Sequence, residues 1–112
     1  MIIPVIDITT KEVQTVNVSD VFYAERVNNQ GEWSIKIVTE NSEYQMLTGK
    51  ELINYLSDNQ ELIQSDNGTY INPTKVANLN VEASIAEFGS GRQASVARSA
   101  MKKVQEKLEK SK

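Results

Sequence analysis

The stretch WSIKIVTENSEYQMLTGKELINYL, running from Trp33 to Leu56, holds two periodicities back to back. Trp33, Ile35 and Ile37 alternate with Ser34, Lys36 and Val38, the period-two pattern of a half-buried strand. A turn at Glu40-Asn41-Ser42 leads into Glu43-Tyr44-Gln45-Met46-Leu47, so the two runs predict a hairpin. Trp33, just after a polar loop, fits either an exposed stacking residue or a strand tryptophan partly buried in the core, and the second is expected because it is the commoner. The period then changes. Thr48-Gly49-Lys50-Glu51 fits a capping box, in which the threonine oxygen takes a backbone donor and the glutamate reaches back. Leu52, Ile53 and Leu56 follow at helical spacing, and Ser57-Asp58-Asn59 closes a short helix predicted over 49–57.

Working outward, the upstream segment reads as further strands. Ile2 to Asp7 is an apolar run that Pro4 confines to a sheet edge or a strand start. Val13 to Val18 and Asp20 to Val27 follow, and Asn28-Asn29-Gln30-Gly31 signals a loop. Downstream, Leu62-Ile63 and Tyr70-Ile71 flank Asp66-Asn67-Gly68-Thr69, a turn signal because Asn-Gly accepts positive φ. Val76 to Val81 and Ala83 to Phe88 predict another strand pair. Gly89-Ser90-Gly91 turns the chain into Gln93 to Val96. Ala97, Ala100, Met101, Val104 and Leu108 then share one face of a C-terminal helix predicted over 97–109. No internal repeat or proline-rich linker divides the sequence, so one domain over 1–112 is expected, mainly β, with antiparallel sheets, one short central helix and a C-terminal helix.

Composition narrows the chemistry. A hydrophobic content of 39% with 24% charged residues is ordinary for a folded chain of 112 residues and one core. Cysteine and histidine are both absent, which removes disulfides, thiolate and imidazole metal ligands, cysteine nucleophiles and the usual general base near neutral pH. The carboxylates Asp7, Glu12, Glu25, Glu40 and Glu43 are scattered, and Gly89-Ser90-Gly91 lacks the Lys-Ser/Thr of a phosphate loop. The reading is not an enzyme, with no cofactor and no metal. Met1 to Asp7 has no basic region and too short an apolar run for a signal peptide or a membrane span, so a cytoplasmic protein is expected.

Charge is polarised along the chain. From residue 91 onward, Arg92, Arg98, Lys102, Lys103, Lys107, Lys110 and Lys112 face only Glu106 and Glu109, leaving +5. The first ninety residues carry five basic and thirteen acidic residues, leaving −8. A basic C-terminal end suits an anionic partner. It also suits a solvated helix that ends in lysines.

Several segments, in order, resemble the LytTR-type DNA-binding domain family, with the likeness strongest over 13–108. Val16-Asn17-Val18-Ser19-Asp20-Val21-Phe22-Tyr23-Ala24-Glu25 looks like the family's opening segment. Trp33 to Thr39 and the helix around Glu51 to Leu56 follow in place. Leu62 to Val76 is the most specific stretch, with Asn72 on the family's asparagine. Ser95-Val96-Ala97-Arg98-Ser99 is similar to its Ser-Arg motif, with a basic tail after it.

The resemblance implies a compact set of antiparallel sheets that binds double-stranded DNA in the major groove through loops. It carries DNA contacts to Asn67 and Arg98, with Arg92, Lys102 and Lys103 as basic neighbours. The Asn28 to Trp33 loop corresponds to a third contact region, with no one residue assigned. Family members usually carry a receiver or sensor domain ahead of this one and none stands here, so a stand-alone bacterial-type transcription regulator, or a fragment of a longer one, is expected, acting as a homodimer or in tandem on repeat half-sites. Asn72, followed by Pro73, is expected to hold a turn by bonding backbone rather than DNA. The sequence departs from the family at Asp66, a carboxylate on the DNA side, and at Gly68, which replaces a small hydroxyl residue. Those departures and the acidic body leave a second reading open: a protein-interaction module or antagonist on the same scaffold, without DNA binding.

Overall fold

The computed structural model describes residues 1–47 and 50–110; Thr48 and Gly49 of the expected capping box, and the terminal Lys112, lie outside them. The elements run β1 Ile2–Asp7, β2 Val13–Asn17, β3 Tyr23–Asn29, β4 Glu32–Val38, β5 Glu43–Met46, α1 Lys50–Asp58, β6 Ile63–Asp66, β7 Thr69–Ile71, β8 Asn78–Asn80, β9 Ile85–Glu87, β10 Gln93–Ser95 and α2 Arg98–Lys110. The first seven strands form one antiparallel sheet in the order β2-β1-β5-β4-β3-β7-β6, and β10-β9-β8 form a second. This is the mainly β, two-helix architecture that the periodicities imply.

The large sheet is covered on both faces. On one face Ile3, Val5, Ala24, Ile35, Ile37 and Met46 pack under Ile53 and Leu56 of α1. On the other, Tyr23, Val38, Ile63 and Ile71 meet Ala86, Phe88 and Ala94 of the small sheet and Met101 and Val104 of α2. Period-two alternation assigns neighbours to opposite layers: Ile37 belongs to the first and Val38 to the second. Phe88 stacks on Phe22 at 5.3 Å and leans on Tyr23 at 5.6 Å, fixing the small sheet to the large one.

Three local features differ from the sequence reading. Pro4 lies inside the sheet rather than at its edge, since β1 is flanked by β2 and β5. Nor does it start the strand, being third in β1; β5 pairs only Val5 to Asp7, so no ladder bond to β5 is lost where proline has no N–H. The loop expected at Asn28 to Gly31 shrinks to a two-residue turn. Gln30 at φ 56° and Gly31 at φ 87° both lie in the left-handed region, the combination of a type I′ turn whose twist matches its strands. Asn28 Oδ1 accepts from Gly31 N–H at 2.9 Å. Before β3, Val18 to Asp20 forms a 3₁₀ turn capped by the Asn17 side chain, so the strand starts at Tyr23 and Phe22 and Tyr23 reach the same layer.

Asn72 takes the structural role expected of it. It is buried, and its Nδ2 donates to Val21 O at 2.9 Å and more weakly to Val18 O at 3.5 Å. Its Oδ1 accepts from Thr74 N–H and Oγ1 at 3.1 and 2.8 Å. One amide thus ties the β7 exit to the β2–β3 connection.

Candidate nucleic-acid interface

The β3–β4 pairing runs for seven residues, from Tyr23↔Val38 to Asn29↔Glu32. The neighbours are shorter. β7 pairs only Tyr23 to Glu25, and β5 pairs only Lys36 to Val38. The hairpin tip therefore projects past the sheet. Trp33 stands on that projection and is 59% exposed, which corrects the expectation that it is partly buried in the core. Alternation sets its face correctly, alongside Ile35 and Ile37, but no layer extends far enough to cover it. Arg26, diagonal to Trp33 across the ladder, lies over its ring at 4.6 Å from the centroid.

The β6–β7 turn lies beside this hairpin. The Arg26 N–H donates to Gly68 O at 2.7 Å, and a Cβ built on Gly68 would sit 3.2 Å from Arg26 Cβ. Gly68 has φ +77°, so the glycine is required both by backbone conformation and by the close approach of a side chain. Asn67 is exposed at the tip, its N–H held by Asp66 Oδ1 at 2.8 Å. Asp66 thereby turns part of its carboxylate inward to the turn.

The start of α2 closes the other side. Ala97 N–H donates to Ser65 O at 2.7 Å, and the buried Ser65 hydroxyl donates to Ser95 O at 2.8 Å. These bonds fix the last strand and the helix start against β6. Asn67 and Lys103 share the lining of an open hollow of about 420 Å³, with Ser99 on its wall. Arg98 is the first residue of α2 and is exposed; Lys102 and Lys103 are exposed one turn on. Met101 and Val104 point the opposite way, into the core. The hairpin tip, the β6–β7 turn and the first turns of α2 therefore gather at one end of the molecule.

Arg92 belongs elsewhere. Its guanidinium meets Glu43 at 2.9 Å, and Glu43 also pairs with Lys36 at 3.4 Å, which in turn holds Glu25 at 3.0 Å. Burial pushes the Glu43 carboxyl up, but Lys36 and Arg92 outweigh it and leave it below its ordinary value. Burial pushes Lys36 down, but Glu25 and Glu43 outweigh that and raise it. Arg92 lines a separate hollow with Asp7, Thr9 and Thr10.

The fold has a counterpart among solved structures. A LytTr DNA-binding domain from Bacillus cereus superposes on 95% of this chain and 96% of its own, with a TM-score of 0.71. The fold is that of a LytTr DNA-binding domain. Sequence identity between the two is 16%, so the likeness is one of architecture. No family model and no curated protein matches the chain by sequence. Of the residues that the resemblance singles out, Asn67 and Lys103 line one hollow, Arg98 and Lys102 lie exposed on the same helix as Lys103, and Arg92 lines a different hollow. Sequence reading left Arg26 and Gly68 without a joint role, because they meet only when β7 pairs with β3. Among the described residues, no helix is long and apolar enough to cross a membrane, and no three or more His, Cys, Asp or Glu side chains cluster so as to hold a metal ion.

Proposed function

We propose that this chain is a DNA-binding regulatory domain, a LytTR-type transcription regulator that acts in the cytoplasm and enters the major groove of double-stranded DNA through its loops. The observation that carries the reading is the gathering of three segments at one end: the β3–β4 tip, the β6–β7 turn and the start of α2. Loops so spaced present separate probes to one side of a duplex. Asn67 and Arg98 supply the side chains that pair bidentately with adenine and guanine edges. Lys102 and Lys103 neutralise phosphates and set the register. Arg92, engaged by Glu43, adds general positive charge rather than a base contact. One domain offers a small footprint, so two copies on repeat half-sites supply the working affinity.

The second reading, a protein-interaction module or antagonist, has one observation in its favour. Ile2 and Val13, 62% and 71% exposed, lie on the same uncovered face of the β2–β1 pair at the sheet edge. Selection of bound duplexes from random-sequence DNA, followed by titration at several salt concentrations, separates the two. The DNA reading expects an enriched sequence and an affinity that falls as salt rises. No DNA binding at low salt and high protein concentration overturns it and favours the protein partner.

A further inference from the structure

Arg26 meets two of the three gathered segments. Its own strand presents it to the Trp33 ring, whose centroid is 4.6 Å from the guanidinium carbon. From the neighbouring turn, Gly68 approaches so closely that a Cβ there would lie 3.2 Å from Arg26 Cβ and 3.6 Å from Nε. The arginine stem therefore runs along the bare backbone of Gly68 and ends over an indole ring. Each ion pair among the described residues involves other groups, and the adjacent Glu25 is held by Lys36, so the Arg26 charge is left for a partner.

Stacking uses the face of a guanidinium and leaves the N–H donors in its plane free. A long side chain already confined between two segments loses less rotamer freedom on binding than a loose one. A phosphate contact needs only charge, whereas a planar fork held in fixed orientation suits an acceptor pair of matching geometry. In the major groove that pair is O6 and N7 of guanine.

We propose that Arg26, clamped between Trp33 and Gly68 beside Asn67, is a further specificity-determining residue and reads a guanine edge. The inference rests on the DNA-binding reading and deepens it by naming the residue and base through which the β3–β4 hairpin discriminates. Trp33 and Gly68 act as positioning residues: they touch the arginine rather than the base.

The test uses the duplex that the wild-type chain selects from random-sequence DNA. Arg26→Lys keeps the charge and loses the fork. Its affinity for the selected duplex should fall on the order of tenfold, with random-duplex affinity and salt slope unchanged. Selection repeated with that variant should lose its preference for guanine at one position. Trp33→Ala should relax the same position, by less, because the arginine is present but no longer oriented. Both residues are exposed, so melting should match the wild type and loss of fold should not confuse the result. An unchanged sequence preference in Arg26→Lys overturns the assignment while leaving the DNA reading intact. Equal weakening of Arg26→Ala on selected and random duplexes, with the salt slope lower by about one, makes Arg26 a phosphate contact and also overturns it. Relaxation in Arg26→Lys but not in Trp33→Ala overturns the clamp. A wild-type chain that binds no DNA removes both the inference and the reading beneath it.

Discussion

Asn72 and Arg98 show how differently two polar side chains enter the chain's physics. Asn72 is 3% exposed and satisfies the carbonyl of Val21 while accepting from Thr74. Asn72→Ala leaves a buried carbonyl unpaired, and a loss of about 1–3 kcal/mol is expected in urea unfolding. Unchanged unfolding with lost DNA binding would assign it the opposite role. Arg98 is exposed at the first position of α2, so its substitution has little folded-state packing to disturb. Arg98→Ala should cost ~1–3 kcal/mol on the selected duplex and little on random DNA, with melting hardly moved. Equal weakening on both duplexes would reduce it to a phosphate contact.

At the scale of elements, α2 does two things with one stripe and its opposite face. Met101 and Val104 seat it on the second core layer, and that seating holds Lys103 against the Asn67 hollow. Met101→Ala removes buried methylenes from a packed layer, with an expected cost of about 2–5 kcal/mol in denaturant unfolding. The Lys36, Glu25, Glu43 and Arg92 cluster links β3, β4, β5 and the start of β10 by charge. The Glu43 carboxyl stands below its ordinary value of 4.5. A lowered folded-state value contributes stability above the unfolded one and loses it as pH falls through the folded one. Lys36, raised above 10.5, contributes stability that is lost as pH climbs through its folded value. Glu43→Gln should therefore flatten the acid limb of a stability–pH profile below that ordinary value of 4.5. The change should be small, since the Glu43 side chain is 40% exposed and solvent screens the pair. An acid limb identical to wild type would show that the Glu43 pairs contribute nothing to folding.

Over the whole molecule, charge is arranged as a gradient: an acidic body and a basic last helix. Such a layout orients the chain towards a polyanion and resists approach by its other faces. Binding to random duplex DNA should weaken steeply with salt. Replacing Lys102 and Lys103 together by glutamine should flatten the log–log slope by roughly 1.8, at about 0.9 for each phosphate no longer neutralised. A slope unchanged in that double variant would place the phosphate-binding groups elsewhere on the surface.

Local sequence determined the elements. The alternation at Trp33 to Val38, the helical spacing of Leu52, Ile53 and Leu56, and the Asn67-Gly68 turn each depend on neighbours a few residues apart, and such short-range signals survive without knowledge of the fold. The order of segments also made the LytTR fold legible, along with the structural part of Asn72. Tertiary structure decided what those elements meet. Trp33 is bare because β5 and β7 are shorter than the β3–β4 hairpin, and strand lengths in partners distant in sequence leave no mark at position 33. Arg92 faces Glu43, 49 residues away, so its helix-side neighbours Arg98 and Lys102 gave no hint of that ion pair. Arg26 and Gly68 come together through the pairing of β3 with β7. That meeting needs a chain closure spanning the helix and three strands, and only the completed sheet specifies it.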